Sequence, residues 1–330
     1  MENFTVLNYQ GSKNNLSSFI QKNIEPYIQD GKAILDIFSG SAAVSNMFRD
    51  NYQVYANDSE IYASIIADAI LNQADIDSAS ELVNSIDIEY ATEIKKHAKP
   101  VIEFVKKETV LTAAMVLAVL SAVMIPPDTE NYNQLIALYN IYPTVWNNHY
   151  SNITKSELTV DSIKQTNNYY LFVTYYATNY YGIAQALDID CLIKIINSRF
   201  PQYRNALLSC LFYSMKETVF SKDGHMAQPL SLEKNQTRLF TQRKKNVYEL
   251  FIKKFKEYIT VPLSKFSGKN IVFNSNFEDL LNQKVFSNVG LVYADPPYTD
   301  MQYSRYYHLL NVAAKYEYPE LTTTKNGYTK

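Results

Sequence analysis

Two strand-like runs that flank a glycine turn and a helix constrain the fold of this chain more than any other feature. Residues 33–38 (AILDIF) are predicted to form a buried strand, and residues 39–45 (SGSAAVS) contain one glycine and open a helix. A second strand is predicted over residues 52–56. This order of strand, helix and strand is typical of α/β proteins, in which a mainly parallel sheet packs against helices.

Both predicted strands are associated with a carboxylate. Asp36 lies in the first strand, and Asp58 comes about 20 positions later, a spacing at which an acidic residue reaches a ribose hydroxyl pair. The turn holds a single glycine, Gly40, rather than the G-x-G-x-x-G set that lets a pyrophosphate approach the backbone. A nucleoside cofactor without phosphates therefore fits better than NAD, and S-adenosylmethionine is such a molecule. The alternative is that Asp58 only caps the helix after it.

The tetrapeptide Asp295-Pro296-Pro297-Tyr298 follows the apolar run 289–294 and is expected at the carboxyl end of a strand, where open α/β sheets bind ligands. The carboxylate and a backbone carbonyl can accept both N–H bonds of an aromatic amine such as adenine N6, which turns its lone pair toward an electrophile. Prolines donate no N–H and leave carbonyls free, while Tyr298 offers a face for a stacked base. The alternative is a polar turn that ends a strand.

A third segment lies near the N-terminus. Gly11 permits close approach of the backbone, Lys13 can meet a carboxylate, and Tyr9 can pack on the edge of a cofactor. On its own this segment is equally typical of a flexible leader with a solvated lysine.

In this order, the three segments resemble the Dam-type (α-group) adenine-N6 DNA methyltransferases. The resemblance implies an α/β fold with a Rossmann-like methyltransferase core, S-adenosylmethionine as cofactor, and an adenine flipped out of double-stranded DNA. It assigns catalysis to Asp295, Pro296, Pro297 and Tyr298. It assigns cofactor binding to Tyr9, Gly11, Lys13, Asp36, Phe38, Ser39, Gly40, Asp58 and Asn276. Asn276, after a strand predicted over residues 270–273, stands where the family usually has Asp before an aromatic residue.

The resemblance divides the chain into a discontinuous catalytic core, residues 1–60 and 268–330, and a mainly helical insertion, residues 61–267, that includes a DNA target-recognition region. Apolar residues recur at helical spacing in several parts of the insertion, namely 61–71, 101–125, 191–197, 204–215 and 245–258. Loops or turns are predicted at 126–128, 147–148, 167–168 and 221–224. The stretch from Val110 to Ile125 falls short of the ~20 residues of a membrane span and is predicted to be a buried helix.

Contacts with DNA phosphates must come from local clusters, because the net charge of the chain is −2. Arg243, Lys244 and Lys245 belong to the densest basic stretch, and Arg305 follows the Asp-Pro-Pro-Tyr motif closely. These four residues are predicted to bind DNA. The alternative is a solvated helix face for the first three and a surface ion pair for Arg305.

Only 32 residues follow Tyr298, and residues 321–330 are predicted to be a polar tail after a helix that ends within residues 315–320. A methyltransferase core of this kind has about three more strands after the motif. We therefore expect either a fragment or a complementing protein chain that supplies the C-terminal half, since an unpaired strand edge invites association.

Two cysteines, Cys191 and Cys210, show neither metal-binding spacing nor a disulfide framework, and no signal peptide is evident. These features favour a cytoplasmic protein, prokaryotic or phage-encoded, without a metal site or a membrane segment. A cognate restriction endonuclease is a possible partner. Two other functions stay open: methylation of another base amine, such as cytosine N4 or an RNA base, and a non-catalytic DNA-recognition subunit of a restriction-modification or defence complex.

Overall fold

A four-stranded parallel sheet is the main sheet of the fold. The computed structural model describes residues 4–7, 16–121, 129–154, 169–222, 224–282, 287–296, 303–317, 322–324 and 327–329. Within them the strands are β1 (Ala33–Asp36), β2 (Val54–Asp58), β3 (Ile271–Asn274) and β4 (Val289–Tyr293), and the order across the sheet is β3-β2-β1-β4. The predicted α/β class and all four predicted strands are confirmed.

The central strand explains why residues 33–38 carry the strongest strand signal. β1 pairs in parallel with β2 on one side and with β4 on the other, and all four of its residues are buried. A strand covered on both faces reads as a continuous apolar run rather than an alternating one. Because every pairing is parallel, the carboxyl ends of the four strands lie at one edge of the sheet.

Helices make up most of the remaining structure. They are α1 (Ser17–Ile24), α2 (Ala43–Phe48), α3 (Ile61–Leu71), α4 (Ala79–His97), α5 (Ile102–Ser121), α6 (Thr129–Thr154), α7 (Leu171–Tyr175), α8 (Ile183–Arg199), α9 (Arg204–Thr218), α10 (Gln236–Arg243), α11 (Val247–Thr260), α12 (Phe277–Leu281), α13 (Tyr303–Tyr306) and α14 (His308–Lys315). No helix in the described part of the chain is long and apolar enough to cross a membrane.

The chain divides into two compact units. The first comprises Met1–Ala79, Gln202–Tyr213 and Lys253–Ser304, and it contains the sheet. On one face of the sheet, Ala33, Leu35 and Tyr55 form a buried cluster with Leu280 of α12. Helix α3 packs beside β2 and β3 and is buried along most of its length.

The second unit comprises Ser80–Pro201, Ser214–Ile252 and Arg305–Lys330. Buried carboxylates organise its helices. Glu108 of α5 accepts hydrogen bonds from the backbone N–H groups of Ile183 and Ala184, each at 2.9 Å, and so satisfies the first turn of α8. Asp190 of α8 accepts from the N–H groups of Phe172 and Val173 at 3.0 and 2.9 Å.

Two sequence predictions about helices are wrong. Asn147 and Asn148 lie inside α6 rather than in a loop, because the helix buries Tyr139, Tyr142 and Trp146 at helical spacing directly before them. Helix α5 does form, but Val110 is 67% exposed, so the helix buries one face and is not enclosed. The loops predicted at 126–128 and 167–168, and residues 122–125, lie outside the described residues.

The prediction of a polar tail after α14 is also wrong for the residues that the structure describes. Helix α14 ends at Lys315 as expected, but Thr322–Thr324 (β5) and Gly327–Thr329 (β6) pair as antiparallel strands. Threonine and tyrosine favour extended backbone, and the Asn-Gly pair at 326–327 is a hairpin signal in the sequence. The turn predicted at 221–224 is confirmed for the described residues 221, 222 and 224. The N–H of His225 donates to the carbonyl of Lys222 at 3.0 Å.

Candidate active site

Acidic residues from three strands come together at the carboxyl edge of the sheet. Asp36 ends β1, Asp58 ends β2, and Asp295 follows β4 by two residues. The carboxylates of Asp58 and Asp295 both act electrostatically on Asp36, although Asp295 is distant from it in sequence. The fold therefore gathers residues from the segment of β1 and β2 and from the Asp-Pro-Pro-Tyr motif, while the N-terminal segment with Tyr9, Gly11 and Lys13 lies outside the described residues.

Asp36 is buried beneath the turn that follows β1. Its Oδ2 accepts hydrogen bonds from the backbone N–H of Ser45 at 3.2 Å and from the Ser45 hydroxyl at 2.7 Å. Burial raises the pKa of Asp36 to about 7, the Ser45 hydrogen bonds oppose the rise, and the negative charges of Asp58 and Asp295 add to it. A proton on this carboxyl near neutral pH lowers the electrostatic repulsion inside the cluster.

The turn after β1 is shaped by Gly40 and held by Asp58. Gly40 has φ +50°, which favours glycine, and a Cβ placed there meets no atom within 4 Å. The Gly40 N–H donates to Oδ2 of Asp58 at 2.9 Å, and the N–H of Glu60 donates to Oδ1 at 2.9 Å. Burial is the main cause that raises the pKa of Asp58. Asp58 thus both supports the turn and precedes α3.

Phe38, Ser39 and Asn276 border the same edge. The ring of Phe38 packs against Phe277 with centroids 5.6 Å apart, and the N–H of Ser39 donates to the carbonyl of Asn57 at 2.9 Å. Asn276 is exposed and directly precedes α12. The turn therefore meets the loop after β3.

Three residues of this site were not predicted: Ser45, Asn57 and Phe277. Ser45 is the third residue of α2, five positions after Gly40, and Asn57 adjoins Asp58, so position beside a motif was the available signal. Phe277 carries no distinguishing signal apart from its place after Asn276. The Phe38 contact arises only when β1 and β3 enter the same sheet.

The Asp-Pro-Pro-Tyr tetrapeptide is described in part. Asp295 is half-buried and Pro296 is exposed, both beyond the end of β4. The N–H of Ile37 donates to the carbonyl of Tyr293 at 3.1 Å, which extends the β1 and β4 pairing up to this point. Pro297 and Tyr298 lie outside the described residues.

Comparison with protein families identifies the family of this chain. A model of the D12 class of N6 adenine-specific DNA methyltransferases matches residues 9–186 and 128–329. The chain belongs to this family. The resemblance to adenine-N6 DNA methyltransferases is thereby confirmed, and the Dam-type α-group assignment stays a prediction.

Two curated proteins align with nearly all of this D12-class chain. Modification methylase LlaI of Lactococcus lactis subsp. lactis is 23% identical over 325 residues, which cover 96% of this chain and 39% of the relative. Type II methyltransferase M.FokI of Planomicrobium okeanokoites is 24% identical over 316 residues, which cover 96% of this chain and 38% of the relative. The chain spans about two fifths of the length of these relatives. No solved structure matches it.

The four basic residues predicted to bind DNA differ in their surroundings. Arg243 is 7% exposed. Its guanidinium donates to Tyr139 Oη at 2.9 Å, to the Tyr180 carbonyl at 3.4 Å, to Gln185 Oε1 at 3.3 Å and to the Asn179 carbonyl at 3.2 Å. These four internal contacts use most of the N–H donors of Arg243 and favour a packing role. Its contact with DNA phosphate stays a prediction.

The other three residues keep more of their surface. Lys244 and Arg305 are exposed. Lys245 is half-buried, and its Nζ donates to the Glu217 carbonyl at 2.6 Å and lies 3.6 Å from Glu217 Oε2. Lys244 and Arg305 therefore fit a phosphate contact better than Lys245 does.

Proposed function

We propose that this chain forms the cofactor-binding and amine-binding part of a site-specific DNA methyltransferase that uses S-adenosylmethionine and acts on N6 of a flipped-out adenine. The observation that carries the proposal is the meeting of Asp36, Asp58 and Asp295 at one edge of the sheet, where Asp295 is the first residue of the Asp-Pro-Pro-Tyr motif. Family membership supports the reaction class.

The site residues fit S-adenosylmethionine in charge and in shape. Three carboxyl groups suit a ligand with a cationic sulfonium and ammonium, and they do not suit a pyrophosphate. The space over Gly40 is open, which leaves room for a nucleoside against the turn. Asp58 is proposed to hold the ribose, with Phe38, Ser39, Asn276 and the segment of Tyr9, Gly11 and Lys13 around the cofactor. When bound, the cofactor supplies the electrophilic methyl group.

The Asp-Pro-Pro-Tyr motif is proposed to bind and orient the target amine. The Asp295 carboxylate and the Pro296 carbonyl accept the two N–H bonds of adenine N6, which localises the nitrogen lone pair. Pro297 fixes the backbone and Tyr298 stacks on the flipped base. Rate enhancement on this scheme comes from orientation and from electrostatic stabilisation of the developing charge.

DNA contacts are proposed for Lys244 and Arg305, with Lys245 in a supporting place. Phosphate contacts of this kind fix the register of the protein on the duplex, while base contacts read the sequence. The segment order, with Tyr9, Gly11 and Lys13 before β1, supports the Dam-type α-group arrangement.

A further polypeptide segment is proposed to complete the core beside β4. In the described part of the chain, β4 pairs only with β1, and Val292 is 48% exposed. Parallel strands are normally covered on both faces. The greater length of the relatives agrees with additional polypeptide around this region. Their names, a modification methylase and a type II methyltransferase, support a restriction-modification context. We propose a cognate restriction endonuclease as partner and a cytoplasmic location, for a prokaryotic or phage-encoded protein.

The test is transfer of a tritiated methyl group from S-adenosylmethionine to unmethylated duplex DNA. We expect label on adenine N6, and we expect Asp295→Ala to lower the rate about 100-fold or more while DNA affinity changes only a few fold. Asp30→Ala, at an exposed position before β1, is the matched control and is expected to keep the wild-type rate.

Assays with the chain alone and with added extract of the source organism distinguish the remaining hypotheses. Label with the chain alone means that no complementing polypeptide is needed. Label that requires an extract of the source organism supports a complementing polypeptide. DNA binding without label in either assay favours a recognition subunit and contradicts the enzyme.

A further inference from the structure

Asn57 joins three strand ends at the candidate active site. It lies in β2 directly before Asp58 and is 1% exposed. Its Nδ2 donates to the carbonyl of Ile37 at 3.2 Å and to the carbonyl of Ser275 at 3.1 Å. Its own carbonyl accepts from the N–H of Ser39 at 2.9 Å. One residue of β2 is thus bonded to the loop after β1 and to the loop after β3.

The two loops that Asn57 connects carry the residues proposed to surround the cofactor. Ile37 and Ser39 flank Phe38, and Ser275 directly precedes Asn276. The Phe38 and Phe277 rings meet between these loops, with centroids 5.6 Å apart. Among the described residues, the Asn57 side-chain amide is thus the one group that donates directly to both loops, beside the ring contact and the bonds that each loop makes to β2.

Stability alone does not explain an asparagine at this position. Ile37 and Ser275 present carbonyl oxygens, so the amide nitrogen of Asn57 must face them. Its Oδ1 is then buried with no hydrogen-bond partner in the described structure. A buried unpaired acceptor lowers stability, and one retained at a ligand site calls for a functional reason.

We infer that Asn57 is a positioning residue for the cofactor: it sets the separation of the loops after β1 and β3 and does not itself touch the reacting atoms. This inference rests on the proposed function. Removing the amide takes one hydrogen bond from each loop and leaves their bonds to the backbone of β2 and to Asp58, so the loops are less well ordered when the nucleoside binds. The loss falls on cofactor affinity and not on the chemical step.

The test is calorimetric titration of the full chain with S-adenosylhomocysteine, a readout that does not depend on methyl transfer. For Asn57→Ala we expect at least a tenfold weaker dissociation constant. In methyl transfer at saturating cofactor, under whatever assay composition gives wild-type activity, we expect the rate to stay within about threefold of wild type. The cofactor KM is expected to rise with the dissociation constant.

The chain offers a matched control in Asn270, which is 3% exposed and bonded to the opposite end of β2. Its Oδ1 accepts from the N–H of Val54 at 2.9 Å, and its Nδ2 donates to the Leu71 carbonyl at 2.9 Å. Asn270→Ala also removes two side-chain hydrogen bonds, one to β2 and one to the last residue of α3. We expect it to lower the unfolding temperature at least as much as Asn57→Ala and to leave S-adenosylhomocysteine affinity within twofold of wild type.

The outcomes separate the inference from the proposed function. A folded Asn57→Ala variant that binds S-adenosylhomocysteine as the wild type does overturns the inference. An equal loss of affinity in Asn270→Ala also overturns it, because that result would mean that the whole sheet has become less rigid. A wild-type chain that binds no S-adenosylhomocysteine overturns the proposed cofactor site itself. If Asn57→Ala does not fold, Asn57→Ser and Asn270→Ser, which each keep one donor, are compared by the same titration with the same expected contrast.

Discussion

At the scale of single residues, the candidate site depends on backbone conformations that few side chains adopt. Gly40 has φ +50°, and Ala42, two residues later, has φ +59° although it is not glycine. A left-handed conformation costs an ordinary residue about 1–2 kcal/mol. Because two such residues lie in the segment after β1, its backbone N–H groups do not point as they would at a regular helix start. The N–H of Gly40 donates to the Asp58 carboxylate.

Gly40→Ala tests this turn. The added methyl group meets no atom within 4 Å, so the free energy of unfolding is expected to fall by only about 1 kcal/mol, from backbone strain. The same methyl group projects into the space proposed for the nucleoside, and we expect S-adenosylhomocysteine to bind at least tenfold more weakly by calorimetry.

Gly31→Ala is the control for Gly40→Ala. Gly31 has φ +71°, its Cβ position is also open, and it lies before β1, at the other end of the strand. A similar loss of stability with unchanged affinity is expected. Equal loss of affinity in both variants would mean that strain in β1, and not occupation of the site, weakens binding.

Single-residue roles could be predicted from sequence only where a residue belongs to a local motif. Asp36, Gly40 and Asp58 could be found because strand, turn and strand lie within 26 residues. Arg243 could not, because its partners Tyr139 and Tyr180 are far away in sequence and nothing local indicates that it is buried. Asn57 was passed over because its hydrogen bonds reach from β1 to β3.

At the scale of elements, β4 differs from the other strand beside β1. β2 is buried along its first four residues, whereas every residue of β4 is at least partly exposed, including Leu291 and Val292. In the described part of the chain its outer edge has no strand partner. An apolar edge with unpaired backbone groups is a template for another strand.

Val292→Lys tests the exposed edge. A lysine on an edge strand opposes pairing with a second chain. We expect the wild-type protein to self-associate as its concentration rises, and we expect Val292→Lys to stay closer to the monomer mass by light scattering. Because Val292 is 48% exposed, the free energy of unfolding should change by about 0.5 kcal/mol or less.

Ile88→Lys controls for the added charge, since Ile88 lies on α4 and is 67% exposed. It is expected to self-associate as the wild type does. A wild-type protein that is monomeric at every concentration would contradict an accessible β4 edge.

Elements were predictable where burial leaves a strong pattern. β1 and β4 are continuous apolar runs, and α3 was predicted with the bounds that the structure has. The hairpin of β5 and β6 was missed because threonines read as polar tail, although their branching favours strands. The prediction of a loop within α6 was wrong because the low helix propensity of two asparagines is outweighed by burial of the nearby aromatic residues of the helix.

At the scale of the whole molecule, both units contain a buried carboxyl group whose pKa burial raises to about 7, Asp36 in the first unit and Asp190 in the second. In the unfolded chain an Asp titrates near pH 4. Between these values the folded protein binds more protons than the unfolded chain, so each group lowers stability as pH rises from about 4 to about 7. The effect is complete above pH 7 and absent below pH 4.

Asp36→Asn isolates this contribution. Both hydrogen bonds from Ser45 end on Oδ2, so an amide oxygen can accept them while the second oxygen becomes NH₂. We expect the variant and the wild type to be about equally stable in urea near pH 4, and the variant to be more stable above pH 7, by on the order of 3 kcal/mol. Asp30→Asn, which removes an exposed carboxylate, controls for the loss of one negative charge and should show no such divergence. A constant difference at every pH would mean that Asp36 is ionised throughout. Asp36, Asp58 and Asp295 would then all carry a negative charge, and a cationic cofactor would have to neutralise three carboxylates.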